Sequence, residues 1–253
     1  MLDNDIRKRL EEKDILLMTH IVMGYPSFDD SLAVVSAMVN AGVDLMELQI
    51  PFSEPIADGP VILNANQKAL ANGTRVSACM AFARKVTELF DIPFLIMTYY
   101  NILFASGVDR FVSGLAAAGV KGAIVPDLPP EEADEYQTAM KNHQLAPIYI
   151  FSPTTPEKRM GFIDSRADGF IYCVARKGVT GEKTAFSEEL ADYLNACRRN
   201  TRLPLAVGFG VKDKTEVDFL RGKADIAVVG SEAIRVFDRE GVDAVGAFIR
   251  SLR

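Results

Sequence analysis

Eight short runs rich in Ile, Val and Leu recur along the chain, each bounded by turn residues and followed by a longer amphipathic stretch. Such alternation is the pattern of parallel strands joined by crossover helices. The expected strands are 16–22 (LLMTHIV), 44–50 (DLMELQI), 93–98 (PFLIMT), 122–126 (GAIVP), 146–150 (APIYI), 169–174 (GFIYCV), 204–208 (PLAVG) and 225–229 (DIAVV). Four of them follow one kind of phrase, small residues and then a Gly or Asp turn: NAGVDLMEL, AAGVKGAIV, SRADGFIYCV and RGKADIAVV. Gly and Asp at those points suit loops from a helix into a buried strand.

Eight strand-helix units in 253 residues match the roughly 250-residue size of a closed (β/α)8 TIM barrel. With no linker among them, residues 1–253 are expected to form one domain, led by a short helix at 1–14; an open doubly wound sheet is the alternative. Pro- and Gly-bearing segments at 51–60, 126–130 and 178–184 directly follow strands, which puts them on the C-terminal barrel face.

Composition narrows the function classes. Lys and Arg total 28 against 34 Asp and Glu, a net charge of −6, and the longest basic cluster is Arg198-Arg199 with nearby Arg202, which reads as a solvated helix end. Nucleic-acid and anionic-membrane partners are therefore not expected. The first residues, MLDNDIRKRLEEKD, are charged where a secretory signal needs an apolar core, and residues 93–105 fall short of the ~20 apolar residues of a membrane span. Cys79, Cys173 and Cys197 lie far apart without a CxxC, which suits buried thiols in a reducing compartment, so a cytoplasmic location is expected.

Motifs for common chemistries are missing. Gly208-Phe209-Gly210 lacks the third glycine of a dinucleotide fingerprint, and GVTGEKT at 178–184 has Glu182 where a Walker loop needs Gly before Lys. His20 and His143 are the only histidines and lack ligand spacing, so no metal is expected. There is no GxSxG elbow.

Two constellations remain. Glu47 sits in a run of Leu, Met and Ile, where an unpaired charge costs several kcal/mol; it reads either as a proton donor or as the partner of a Lys or Arg in the barrel wall. Asp58, on the next loop, is a second reacting carboxylate or an Asx turn. Gly208-Phe209-Gly210 and Gly230-Ser231 end the seventh and eighth runs, where barrels of this kind bind phosphate through backbone amides.

On these residues the chain resembles the tryptophan synthase alpha subunit family. The match runs through MELQIPFSEPIADGP, MTYYNILF, VPDLPPEEA, SPTTPEKR, FIYCVARKGVTGEKT, LAVGFGV and VVGSEAI. The resemblance implies a lyase that splits indole-3-glycerol phosphate into indole and glyceraldehyde 3-phosphate. It also implies an α2β2 assembly with a beta subunit that carries pyridoxal phosphate, and no cofactor in this chain. It assigns Glu47 to proton transfer at indole C3 and Asp58 to the indole nitrogen. Tyr172 then matches the family's substrate-binding active-site tyrosine, Tyr99, Met97, Ile124 and Phe209 line the indole pocket, and Gly181, Gly210, Gly230 and Ser231 bind phosphate. Thr180, with Arg176 before it, belongs to a loop that closes toward Asp58. Three positions depart from the family pattern: Gln49 in place of Gly, with its amide in reach of Glu47; Glu54 in place of Asp; and His20 in place of an aromatic residue. A free-standing lyase, a weakly catalytic regulatory subunit and another phosphosugar barrel such as an epimerase are the other functional readings.

Overall fold

The computed structural model describes residues 2–174, 188–208 and 210–253. Arg176, Thr180, Gly181 and Phe209, assigned above by resemblance, lie outside the described residues. Eight parallel strands close into one barrel in sequence order: β1 (Leu16–Val22), β2 (Leu45–Gln49), β3 (Phe94–Met97), β4 (Gly122–Ile124), β5 (Ala146–Phe151), β6 (Ile171–Val174), β7 (Leu205–Gly208) and β8 (Ile226–Val229). All eight expected runs are strands: β1 has the expected bounds, β5 extends one residue further to Phe151, and the other six are trimmed. The sixth begins at Ile171, not at 169, because Gly169 takes a positive φ of 78° and donates to the Asp168 carboxylate at 2.6 Å, making a turn. The fourth stops at Ile124 because Leu128 N–H bonds the Val125 carbonyl and turns the chain away.

The helices are α1 (Leu2–Leu10), α2 (Phe28–Asn40), α3 (Pro60–Ala71), α4 (Val76–Leu89), α5 (Tyr100–Ser106) and α6 (Val108–Ala117). They continue with α7 (Asp134–Asn142), α8 (Glu157–Asp164), α9 (Glu188–Asn200), α10 (Lys214–Leu220), α11 (Ser231–Glu240) and α12 (Val242–Ser251). Ser27 caps α2 by accepting from Asp30 N–H, and Asp213 caps α10 by accepting from Glu216 N–H, each satisfying an otherwise orphaned first-turn donor. No helix among the described residues is long and apolar enough to cross a membrane.

Because side chains alternate across a strand, two cores result. Outward residues such as Leu17, Met46, Ile96 and Val207 meet the helix shell, while inward ones, among them Met18, Leu45, Leu95, Ile148 and Ile226, fill the barrel. Helix α1 closes the N-terminal end of the barrel: Leu2 and Ile6 are buried and belong to the interior cluster.

The same end is tied by Asp44, in the turn before β2. Its buried carboxylate accepts from Leu17 N–H at 2.8 Å and pairs with Lys13 and Arg253. Asp225, before β8, repeats the device by accepting from Leu205 N–H at 2.7 Å and pairing with Arg198. Arg199 pairs with Glu157, so the basic cluster is taken up by surface ion pairs. Replacing Asp44 by Ala leaves Leu17 N–H without its acceptor, and an orphaned buried donor costs roughly 1–3 kcal/mol. The urea midpoint of Asp44→Ala is expected to fall accordingly with an unchanged slope; an unmoved midpoint would show that Asp44 ties nothing.

Candidate active site

The inward residues at the C-terminal ends of the strands enclose a cavity of about 150 Å³, open at the barrel mouth. His20, Glu47, Met97, Ile124, Ile150, Tyr172, Gly208 and Val228 supply its floor and walls, and Asp58 with Ala57 enters from the loop after β2. Strand register explains the convergence. His20 pairs with Glu47, Gln49 with Met97, Met97 with Ile124, and Ile150 with Tyr172, so inward residues of successive strands sit level with one another.

Neither alternative for Glu47 includes its actual neighbour. Its Oε1 shares a hydrogen bond with Nδ1 of His20, not with a Lys or Arg. Both side chains are nearly inaccessible, and Glu47 Oε2 and His20 Nε2 are buried with no hydrogen-bond partner among the described residues. The imidazole is held above its ordinary value. Burial by itself lowers it, but the Glu47 carboxylate, the hydrogen bond to it, Asp58 and Gln49 together outweigh that penalty.

Asp58 is no Asx turn. The loop is turned by the backbone bond from Asp58 N–H to the Pro55 carbonyl, while the carboxylate accepts from Gln49 Nε2 at 2.6 Å and from the Tyr99 hydroxyl at 3.2 Å. The amide of Gln49 thus serves Asp58, which corrects the expected contact with Glu47. Asp58 is raised above the ordinary aspartate value, first by burial, while His20, Gln49 and Tyr99 pull it back.

Tyr99 stands elsewhere than expected. Its ring is 0% exposed and lies outside the cavity wall, stacked on Phe52 at 5.0 Å. Its hydroxyl accepts from Ala57 N–H at 3.2 Å and donates to Asp58, so it holds the carboxylate from behind. Asn66 of α3 extends the support: its Oδ1 accepts from Phe52 N–H at 2.9 Å and, more loosely, from Gln49 at 3.5 Å. Nothing in the sequence marked Asn66, since its role depends on where α3 lies against β2.

The other end of the cavity suits an anion. Gly210, Gly230 and Ser231 line it together. Ser231 opens α11, whose first N–H groups lack intrahelical partners and carry the positive end of the helix dipole. Lys212 and Arg235 line the same region and were missed, because isolated basic residues in amphipathic segments carry no motif. Arg235 also pairs with Glu232 at 3.0 Å. Among the described residues no group of three or more His, Cys, Asp or Glu is placed to hold a metal.

Known proteins share this sequence pattern and fold. The family model described as "Tryptophan synthase alpha chain" matches residues 6–248. The chain is 64% identical over 252 residues to the tryptophan synthase alpha chain of Desulforapulum autotrophicum, covering 100% of both. The chain belongs to the tryptophan synthase alpha chain family. Its fold superposes on a structure of Mycobacterium tuberculosis tryptophan synthase with a TM-score of 0.93 at 30% identity, covering 99% of this chain and 96% of that one. It matches a chain of the tryptophan synthase complex of Pyrococcus furiosus with a TM-score of 0.86 at 29% identity, over 94% and 97% of the two chains.

In this family member Gly208 decides the place of Tyr172. A Cβ at Gly208 would lie 2.3 Å from the Tyr172 hydroxyl and 2.2 Å from its ring. Overpacking of this kind costs roughly 1–3 kcal/mol, so Gly208→Ala is expected to lower the unfolding free energy by that amount and to push the ring into the cavity. A crystal structure of the variant with Tyr172 unmoved would contradict this.

Proposed function

We infer that the cavity cleaves indole-3-glycerol phosphate to indole and glyceraldehyde 3-phosphate, with Glu47 and Asp58 as its catalytic residues. The observation that carries the assignment is one cavity lined by the buried Glu47, the half-buried Asp58, apolar side chains and the Gly210 and Gly230-Ser231 turns.

Each part of the substrate has chemistry to meet it. The indole ring needs apolar walls, which Met97, Ile124 and Tyr172 provide. The phosphate needs N–H donors, which Gly230, Ser231 and the glycine turn at Gly210 offer, with Lys212 and Arg235 adding positive charge. Cleavage requires a proton on indole C3 before the carbon-carbon bond breaks. Glu47 gives that proton as general acid, and its conjugate base takes one from the glycerol hydroxyl that becomes the aldehyde. Asp58 accepts the indole N–H and stabilises positive charge spreading over the ring. Tyr99, Gln49 and Asn66 fix Asp58 without touching substrate.

The chain performs these steps with its own side chains and needs no cofactor or metal. Pyridoxal phosphate belongs to a beta subunit that consumes the indole, in an α2β2 assembly. Support for a partner at this face comes from the loop 51–60, where Ile56 is 71% exposed beside the catalytic Asp58. Three free, buried cysteines fit work in the cytoplasm.

Glu47→Gln keeps the shape of the site and removes its proton. Loss of a general acid-base group lowers turnover by about 10²–10⁴, so indole release is expected to become nearly undetectable while glyceraldehyde 3-phosphate still binds. A variant that keeps more than about a tenth of wild-type turnover would move the role elsewhere. Titrating the chain with a beta subunit is expected to raise kcat, and a bound substrate analogue to tighten the association reciprocally. A fast rate that beta leaves unchanged would identify a free-standing lyase.

A further inference from the structure

A histidine lies against the reacting carboxylate. His20 stands level with Glu47 across the β1–β2 ladder, and its Nδ1 bonds Glu47 Oε1. That bond uses one carboxylate oxygen and leaves the other, Oε2, buried, without a partner among the described residues and belonging to a cavity-lining side chain. A carboxyl group free to rotate offers two equivalent oxygens to a substrate. Here only one is open.

We propose that His20 is a positioning residue of the lyase reaction: its Nδ1–H holds Glu47 with Oε2 toward the substrate and stabilises the carboxylate that forms when Glu47 gives its proton to indole C3. The proton leaves Oε2 for C3 and is restored to Oε2 from the glycerol hydroxyl, while His20 keeps its own proton throughout. The stabilisation is differential, since it grows as negative charge develops on Glu47 in the transition state. This role rests on the lyase reading given above.

The surroundings of the ring favour its protonated form. Glu47 faces it from β2 and Asp58 from the following loop, and Gln49 adds to the same effect. Tyr172 of β6 lines the cavity, as do Lys212 beyond β7 and Glu232 and Arg235 of α11. On the β8 side its neighbour is Gly230, which carries no charge. The sign follows: a ring held above its ordinary 6.5 donates fully at low pH and loses that ability as pH rises through its folded value. The neutral ring is free to take the tautomer that lacks an Nδ1 proton, so His20 adds a falling limb to kcat on the basic side.

Two substitutions separate positioning from bulk. His20→Asn retains an N–H near the place of Nδ1 but cannot titrate, whereas His20→Phe fills the space and donates nothing. Indole release by the full chain, with and without a beta subunit, is to be followed across pH 5 to 9 for all three proteins. Misplacing a reacting group costs on the order of 10²-fold, so His20→Phe is expected to lose about that much kcat with KM changed less than threefold. His20→Asn is expected to stay within about tenfold of wild-type kcat at the optimum, a loss of under about 1.4 kcal/mol, and to lack the basic limb attributed to His20. Side-chain nitrogen NMR supplies an arm that needs no substrate. The chain has two histidines, and His143→Gln leaves the His20 signals alone; they are expected to titrate above 6.5, and Glu47→Gln to lower that value. Because Glu47 as general acid gives kcat a basic limb of its own, the proposal is overturned if His20→Phe keeps wild-type kcat, if the basic limb of His20→Asn is unchanged from wild type in position and steepness, or if His20 titrates at or below 6.5. A wild-type chain releasing no indole while His20 still titrates high would instead sink the lyase reading and leave the pair intact.

Discussion

Closure of the sheet is the constraint on which the rest of the molecule depends. β1 pairs with both β2 and β8, so no strand has an open edge and every side chain is committed to the barrel interior or the helix shell. Slipping one strand by a residue would exchange His20 for Thr19 or Glu47 for Met46 at the cavity wall. Register and chemistry are thereby one specification. The apolar outward residues of each strand, buried under helices, enforce a placement of polar inward residues that polar residues alone have no means to choose.

Within that frame the two carboxylates are managed differently. Glu47 is on a strand, fixed along its backbone, and its side chain has one hydrogen-bond partner, His20 of the adjacent β1. Asp58 is on a loop and is fixed by its side chain, through Gln49 from one direction and Tyr99 from another. Burial raises the free energy of a bare carboxylate at either place, and each has a hydrogen-bond donor that offsets part of that rise. Gln49 occupies a strand position two residues beyond Glu47 and so belongs to the same wall. Its amide reaches across to the loop, binding strand and loop into one unit.

Much of this was legible in the sequence, for definite reasons. The strands showed because a closed parallel sheet buries both faces, so each strand reads as a continuous apolar run, and Glu47 showed because it interrupts one. Strand ends were less legible: Gly169-Phe170 looks like strand until the positive φ of Gly169 makes it a turn. Partners across elements were not legible at all. The His20–Glu47 bond depends on the β1–β2 register, the Asp58 bond on the reach of Gln49, and the withdrawal of Tyr99 behind Asp58 on its stacking with Phe52. Lys212 and Arg235 meet at the anion end only because the turn after β7 and the first turns of α11 come together there.

The seating of α1 bears on how such a chain assembles. Leu2 lies against the turn at Gly169, whose missing side chain leaves it room, and Arg7 donates to the carbonyl of Arg202 at 2.6 Å. Asp44 is held by Arg253, 209 residues away along the chain. Contacts between residues so far apart in sequence bring their gain only after the loop between them is closed, and such topologies assemble slowly. Leu2 and Ile6 therefore gain their interior neighbours only after the strands they pack against have closed. The base of the barrel is a lock that turns only once strands far apart in the sequence have met.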